Sequence, residues 1–143
     1  MQPPIDRALM HQIGDVAERV GLSLRTVRHY DEAGLVVPSG RTAGGFRLYT
    51  DDDIERLALI KRMKPLGFTL EEMRELLALR DRLVDTSPAD STYGRLLDQL
   101  RAYTAAATER CEGLRKQLEH ADAFANTLRR EVARYGDARP VEP

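Results

Sequence analysis

Apolar residues first recur at helical spacing at Ile13, Val16, Ala17 and Val20. They form one face of a short helix, and Gly21 is placed to end it. Ser23 can cap a second helix from Leu24 to about Ala33, with Gly34 as its stop. Two short helices around a glycine-containing turn make a helix-turn-helix. The pattern then changes. Leu35-Val36-Val37 and Phe46-Arg47-Leu48-Tyr49 are strand-like runs, and the loop-forming stretch between them predicts a β-hairpin, or wing. Gly44-Gly45 offer the positive-φ freedom that its turn needs.

A helical period returns after Thr50. Three aspartates follow this cap, where the positive end of a helix favours acids. Ile54, Leu57, Ala58 and Ile60 carry its apolar face, and Pro65 and Gly67 end it. Thr69-Leu70-Glu71-Glu72 is a capping box, with Phe68 and Met73 spaced as a hydrophobic staple. The helix it opens runs through Leu76, Leu77 and Leu79. Ser87, Pro88 and Asp90 read as the start of a last helix. Along it Leu97, Leu100, Thr104, Ala107, Cys111, Leu114, Leu118, Ala121, Ala125, Leu128, Val132 and Tyr135 alternate spacings of three and four. That is a heptad seam. At 1.5 Å per residue the helix is about 65–70 Å long, too long to bury its stripe against so small a head. A helix from a second copy is the simplest cover. Gly113 falls outside the seam, and Gly136 is the expected end.

The predicted fold is therefore mainly α, with a winged helix-turn-helix domain at 12–80 and a hinge at 81–87. A dimerisation helix at 88–135 follows, with flexible ends at 1–11 and 136–143. The seam residues Leu97, Leu100, Ala107, Cys111, Leu114, Leu118, Ala121, Leu128 and Val132 are the expected dimer contacts.

Composition narrows the function. The net charge is −1, so any basic surface must be local. From Arg19 to Tyr49 five arginines (Arg19, Arg25, Arg28, Arg41 and Arg47) face only Asp31 and Glu32. Lys61, Arg62 and Lys64 form a basic cluster just beyond. No run of about 18 apolar residues exists, so no membrane span is expected. The N-terminus lacks the apolar core of a signal peptide, and Cys111 is the sole cysteine. Both point to a cytoplasmic protein without an internal disulfide.

Ser23-Leu24-Arg25-Thr26-Val27-Arg28-His29-Tyr30 is the candidate recognition helix. Arginine reads guanine edges bidentately, and Ser or Thr can touch bases or phosphates. Arg25, Thr26, Arg28 and His29 are the expected exposed face, with Val27 turned inward. The bland alternative is an amphipathic helix with a solvated basic face. Arg41 and Arg47 flank a wing that can follow the phosphate backbone or a narrow minor groove. The alternative there is a surface hairpin whose arginines pair with Asp51–Asp53.

These motifs, taken in order, resemble the MerR family of bacterial regulators. The resemblance covers Ile13-Gly14-Asp15-Val16-Ala17, the run from Ser23 to Leu35, and Arg41-Thr42-Ala43-Gly44-Gly45-Phe46-Arg47-Leu48-Tyr49. It continues through Asp53-Ile54-Glu55-Arg56-Leu57 and Leu66-Gly67-Phe68-Thr69-Leu70-Glu71-Glu72-Met73. His29 stands where the family more often has Tyr. The resemblance implies an antiparallel dimer of the long helices on a palindromic promoter site. It also implies that the protein bends and untwists the duplex, so that RNA polymerase is affected indirectly. By position it assigns recognition to Ser23, Arg25, Thr26, Arg28, His29 and Tyr30. Arg41 and Arg47 become wing contacts, and Arg56 and Lys61 support the backbone.

The rear of the chain names no signal. Metal and iron–sulfur sensors of this kind use several cysteines, and this chain has one, so neither a metal nor a cofactor is expected. Cys111, on the seam, is a small hydrophobe or else half of a cross-chain disulfide. Tyr93, Tyr103 and Phe124 could line an effector pocket or simply pack. His11 and His120 have no partners at metal-ligand spacing and read as exposed. No phosphate-binding loop or nucleophile motif points to an enzyme. The remaining alternatives are an architectural DNA-binding protein and a coiled-coil adaptor.

Overall fold

The computed structural model describes residues 9–138 and Pro140. The order of elements is β1 (His11–Gln12), α1 (Ile13–Val20), α2 (Leu24–Glu32), β2 (Gly40–Arg41), β3 (Arg47–Tyr49), α3 (Asp51–Met63), α4 (Leu70–Asp85) and α5 (Tyr93–Asp137). A 3₁₀ turn, Lys64–Leu66, follows α3. Among the described residues no helix is long and apolar enough to cross a membrane. The chain divides into two compact units, one ending at Leu100 and the other beginning at Arg101.

In the first unit, α1 buries Val16, Ala17 and Val20, and α2 buries Val27 and Tyr30. From α3 come Leu57, Ile60 and Met63, and from α4 come Met73, Leu76, Leu77 and Leu79. The local signals hold. Thr50 and Asp53 close one capping box, and Thr69 and Glu72 close another. Phe68 and Met73, the staple pair, are both buried. Gly21 and Gly67 adopt φ of 75° and 78°, the left-handed geometry that stops a helix. Only Gly45 of the wing pair has positive φ.

Several boundaries differ from expectation. Leu35-Val36-Val37 is not a strand. The Leu35 and Val36 amides both donate to the Tyr30 carbonyl, at 2.9 and 3.3 Å, and both side chains are buried. This run closes α2 after Gly34 (φ 69°) rather than pairing in a sheet. The sheet instead has the antiparallel order β1-β3-β2, with His11 opposite Tyr49 and Arg41 opposite Arg47. His11, expected to be flexible and exposed, therefore lies in a strand. Its ring meets Asp51 at 2.8 Å and Asp15 at 3.2 Å. The rest of the expected flexible N-terminus, apart from Leu9 and Met10, lies outside the described residues.

The predicted hinge at 81–87 is mostly helix, because α4 continues to Asp85. The last helix begins later than Pro88. The Asp90 carboxylate accepts from the amide and hydroxyl of Thr92, each at 2.8 Å, and these bonds hold its carboxyl below the ordinary range. The Asp90 carbonyl then takes the Tyr93 amide at 3.2 Å, so the turn residues Ser87–Asp90 precede the helix instead of opening it. Gly136 does not stop α5, which runs to Asp137. In the second unit, α5 leaves Leu118, Val132 and Tyr135 exposed at 61%, 73% and 67%.

Candidate nucleic-acid interface

The recognition helix α2 is set by its cap and its buried rear. Ser23 Oγ accepts the Thr26 amide at 3.0 Å and lies 2.8 Å from Thr26 Oγ1. Both hydroxyls therefore serve helix initiation first. Val27 is fully buried and Tyr30 is 3% exposed. Tyr30, assigned to DNA by resemblance, is thus a core residue, and burial pushes its phenol above the ordinary value. Arg25, Arg28 and His29 are exposed on the opposite face. Among the described residues neither arginine enters an ion pair.

Two cations from the following helices hold the helix-turn-helix in place. Lys61 on α3 donates to the Val20 carbonyl, at the end of α1, at 2.8 Å. Arg74 on α4 donates to the Ala33 carbonyl, at the end of α2, at 2.6 Å, and its other nitrogen reaches Glu71 at 2.9 Å. A positive group at a helix C-terminus satisfies a free carbonyl and opposes the helix dipole. Lys61, expected to support DNA binding at the backbone, gives one N–H of its ammonium to Val20 while the residue itself stands exposed. Arg56, given the same role, pairs with Asp81 at 2.7 Å. Sequence reasoning missed Arg74 altogether, since its partner is 41 positions away.

The wing is tied to α2. Arg47 Nε donates to Asp31 at 2.6 Å, and Arg41 lies 3.7 Å from the same carboxylate oxygen. Arg41 also donates to the Gly45 carbonyl at 3.1 Å, which braces the hairpin loop. Two of the expected alternative partners, Asp51 and Asp53, are otherwise engaged. Asp51 meets His11, and Asp53 accepts from Ser39 at 2.6 Å and from the Thr50 amide at 2.9 Å. Next to this cluster Tyr49 is fully buried, and its hydroxyl has no hydrogen-bond partner among the described residues. Burial, reinforced by the nearby Asp31 charge, pushes its phenol above the ordinary value.

A groove of about 330 Å³ runs beside α2, lined by Arg25, Thr26, His29, Tyr30, Lys64, Phe68, Leu70 and Met73. It sets Lys64, which sequence reasoning noted only as part of a basic cluster, beside the recognition residues. Two of the candidate effector residues lie far apart along α5. Tyr103 and Phe124 lie on one continuous helix, about 30 Å apart at 1.5 Å per residue, so a single chain cannot bring both to one pocket. Cys111 is a half-buried free thiol.

Comparison with known proteins agrees with this architecture. Residues 12–79 match the MerR HTH family regulatory protein model, and residues 54–121 match the MerR, DNA binding model. The chain is 32% identical over 132 residues to the HTH-type transcriptional regulator HmrR of Sinorhizobium medicae, covering 92% of this chain and 81% of that protein. It is 49% identical over 67 residues to the regulator CueR of Yersinia pestis, a match spanning 47% of this chain and 48% of CueR. Among solved structures, the N-terminal part of the Bacillus subtilis multidrug transporter activator is similar. It is 34% identical, with a TM-score of 0.50, over 85% of this chain and 97% of that one. The chain therefore belongs to the MerR family: it is a DNA-binding transcriptional regulator, not an enzyme.

Proposed function

We propose that two copies of this cytoplasmic protein join through the heptad seam of α5 and bind a palindromic promoter site. The paired heads distort the duplex and so control transcription in response to a small-molecule or stress signal. Arg25 and Arg28 carry this reading. Both are exposed and unpaired among the described residues, on a helix whose rear is buried and whose C-terminal end is gripped by Arg74. Such a helix can enter the major groove without rearranging. Ser23, Thr26 and His29 border the same face, and Arg41 and Arg47 present the wing to the backbone. The apolar seam residues Leu114, Leu118, Leu128 and Val132 are exposed in one chain and gain cover in a pair.

Deformation of the DNA would be repaid by the second set of contacts that bending allows. With Cys111 as the sole cysteine, the signal we propose is not a metal held by several thiolates of one chain.

A footprint of the purified protein across its own upstream region tests the proposal. The expected result is a two-fold symmetric protected site, bound by a species that sediments as a dimer. A monomer at micromolar concentration, or uniform protection without sequence preference, would refute it.

A further inference from the structure

Resting on the DNA-binding reading, we infer that Asp31 is a positioning residue that sets the specificity of binding, by holding the wing arginines on the recognition helix and offsetting part of their charge. One carboxylate joins three elements. It sits on the last turn of α2, accepts from Arg47 of β3 at 2.6 Å, and lies 3.7 Å from Arg41 of β2. The Asp31 side chain is only 13% exposed, so water screens this cluster less than a surface pair.

The geometry has two effects. First, both strands of the wing are fixed to the helix that reads bases. A phosphate gripped by the wing and a base read by Arg25 or Arg28 then stand in one register. The Arg47 bond uses Nε, and guanidinium carries five N–H donors, so its terminal nitrogens still serve a phosphate. Second, the carboxylate lowers the net charge the wing shows to any duplex. Sequence-independent affinity grows with each positive charge placed against phosphate, whereas discrimination depends on the ratio of specific to non-specific binding. A little-exposed acid beside the wing suppresses the first term and leaves Arg25 and Arg28, which have no such partner among the described residues, to decide.

Asp31→Asn keeps the shape and an acceptor for Arg47 but removes the charge. Binding is measured to a duplex spanning the footprinted site and to a scrambled duplex of the same composition, across a salt series. The variant should bind the scrambled duplex about tenfold more tightly, with a salt slope steeper by about one unit. Its preference for the footprinted site should fall about tenfold, and Asp31→Glu should restore the slope. Equal weakening on both duplexes with an unchanged slope would reduce Asp31 to a purely structural role and overturn the inference.

Hydrogen exchange at the Arg47 Nε–H of the wild-type protein decides the question if the asparagine variant does not fold. Protection both free and on the footprinted duplex is expected, and exchange as fast as at Arg25 overturns it. A wild-type protein that shows no preference between the duplexes would defeat the promoter-binding reading itself, and this inference with it.

Discussion

In the head, Val16, Val27, Leu57 and Ile60 are wholly excluded from solvent, while on α5 Leu118, Val132 and Tyr135 each stand more than half exposed. Both regions carry helical apolar stripes, but they differ in where the covering surface comes from. The head finds it within one chain, from four helices, a small sheet and the Leu35–Val36 plug. On α5 the seam residues Leu114, Leu118, Leu128 and Val132 stay exposed within their own unit. Helices draw most of their stability from packing of an amphipathic face. The comparison teaches that a regular stripe marks what must be buried, not which molecule buries it.

The largest effect should come from the seam. Leu118→Glu, which would set charge into the proposed dimer contact, is expected to sediment as a monomer where the wild type sediments as a dimer. Operator affinity should drop about 10²–10⁴-fold as bivalent binding is lost. A variant that remains a dimer would break the comparison.

Next is Leu57→Ala, which empties a fully buried site in the head and should cost about 2–5 kcal/mol in urea unfolding. A loss below about 1 kcal/mol would mean that the head is less close-packed than its burial indicates.

Gly21→Ala should cost about 1–2 kcal/mol, because a side chain is strained in the left-handed region. The added Cβ would also come within 2.6 Å of Lys61 Nζ and loosen its grip on Val20. Hydrogen exchange at the end of α1 reports this, and unchanged protection would argue against the Lys61 contact.

The smallest effect expected is a gain. Tyr49→Phe removes a buried hydroxyl without a partner and should stabilise the head by about 1 kcal/mol. Its pH dependence has a definite sign. A phenol with a raised pKa leaves stability intact below the ordinary value of 10.0 and costs stability as pH rises through the raised one. Alkaline melting should therefore fall more steeply in wild type than in Tyr49→Phe. Parallel profiles would assign the alkaline loss to Tyr30, which is also buried and raised.

Local chemistry was the legible part of the sequence. The Thr50 and Ser23 caps, the Thr69 capping box and the Gly21 stop all act within a few residues, and all appear in the structure. What remained hidden joins distant positions. Lys61 to Val20, Arg74 to Ala33 and Arg47 to Asp31 leave no periodic trace. Tyr30 was misplaced for a related reason: a residue list carried over by position does not say which face of the helix each member occupies. Leu35-Val36-Val37 has the composition of a strand, but the two free amides after Gly34 are used to close α2. The start of α5 was set too early because Ser87-Pro88 is as good a turn as a helix cap. Leu96, the one buried residue of α5, falls beside the heptad seam rather than on it.

The grips of Lys61 and Arg74 both close on main-chain oxygens. Neither depends on which side chains α2 shows to solvent. Positions 25, 28 and 29 can therefore be rewritten, by mutation over generations or by an engineer seeking a new target sequence, while the platform that aims them stays unchanged.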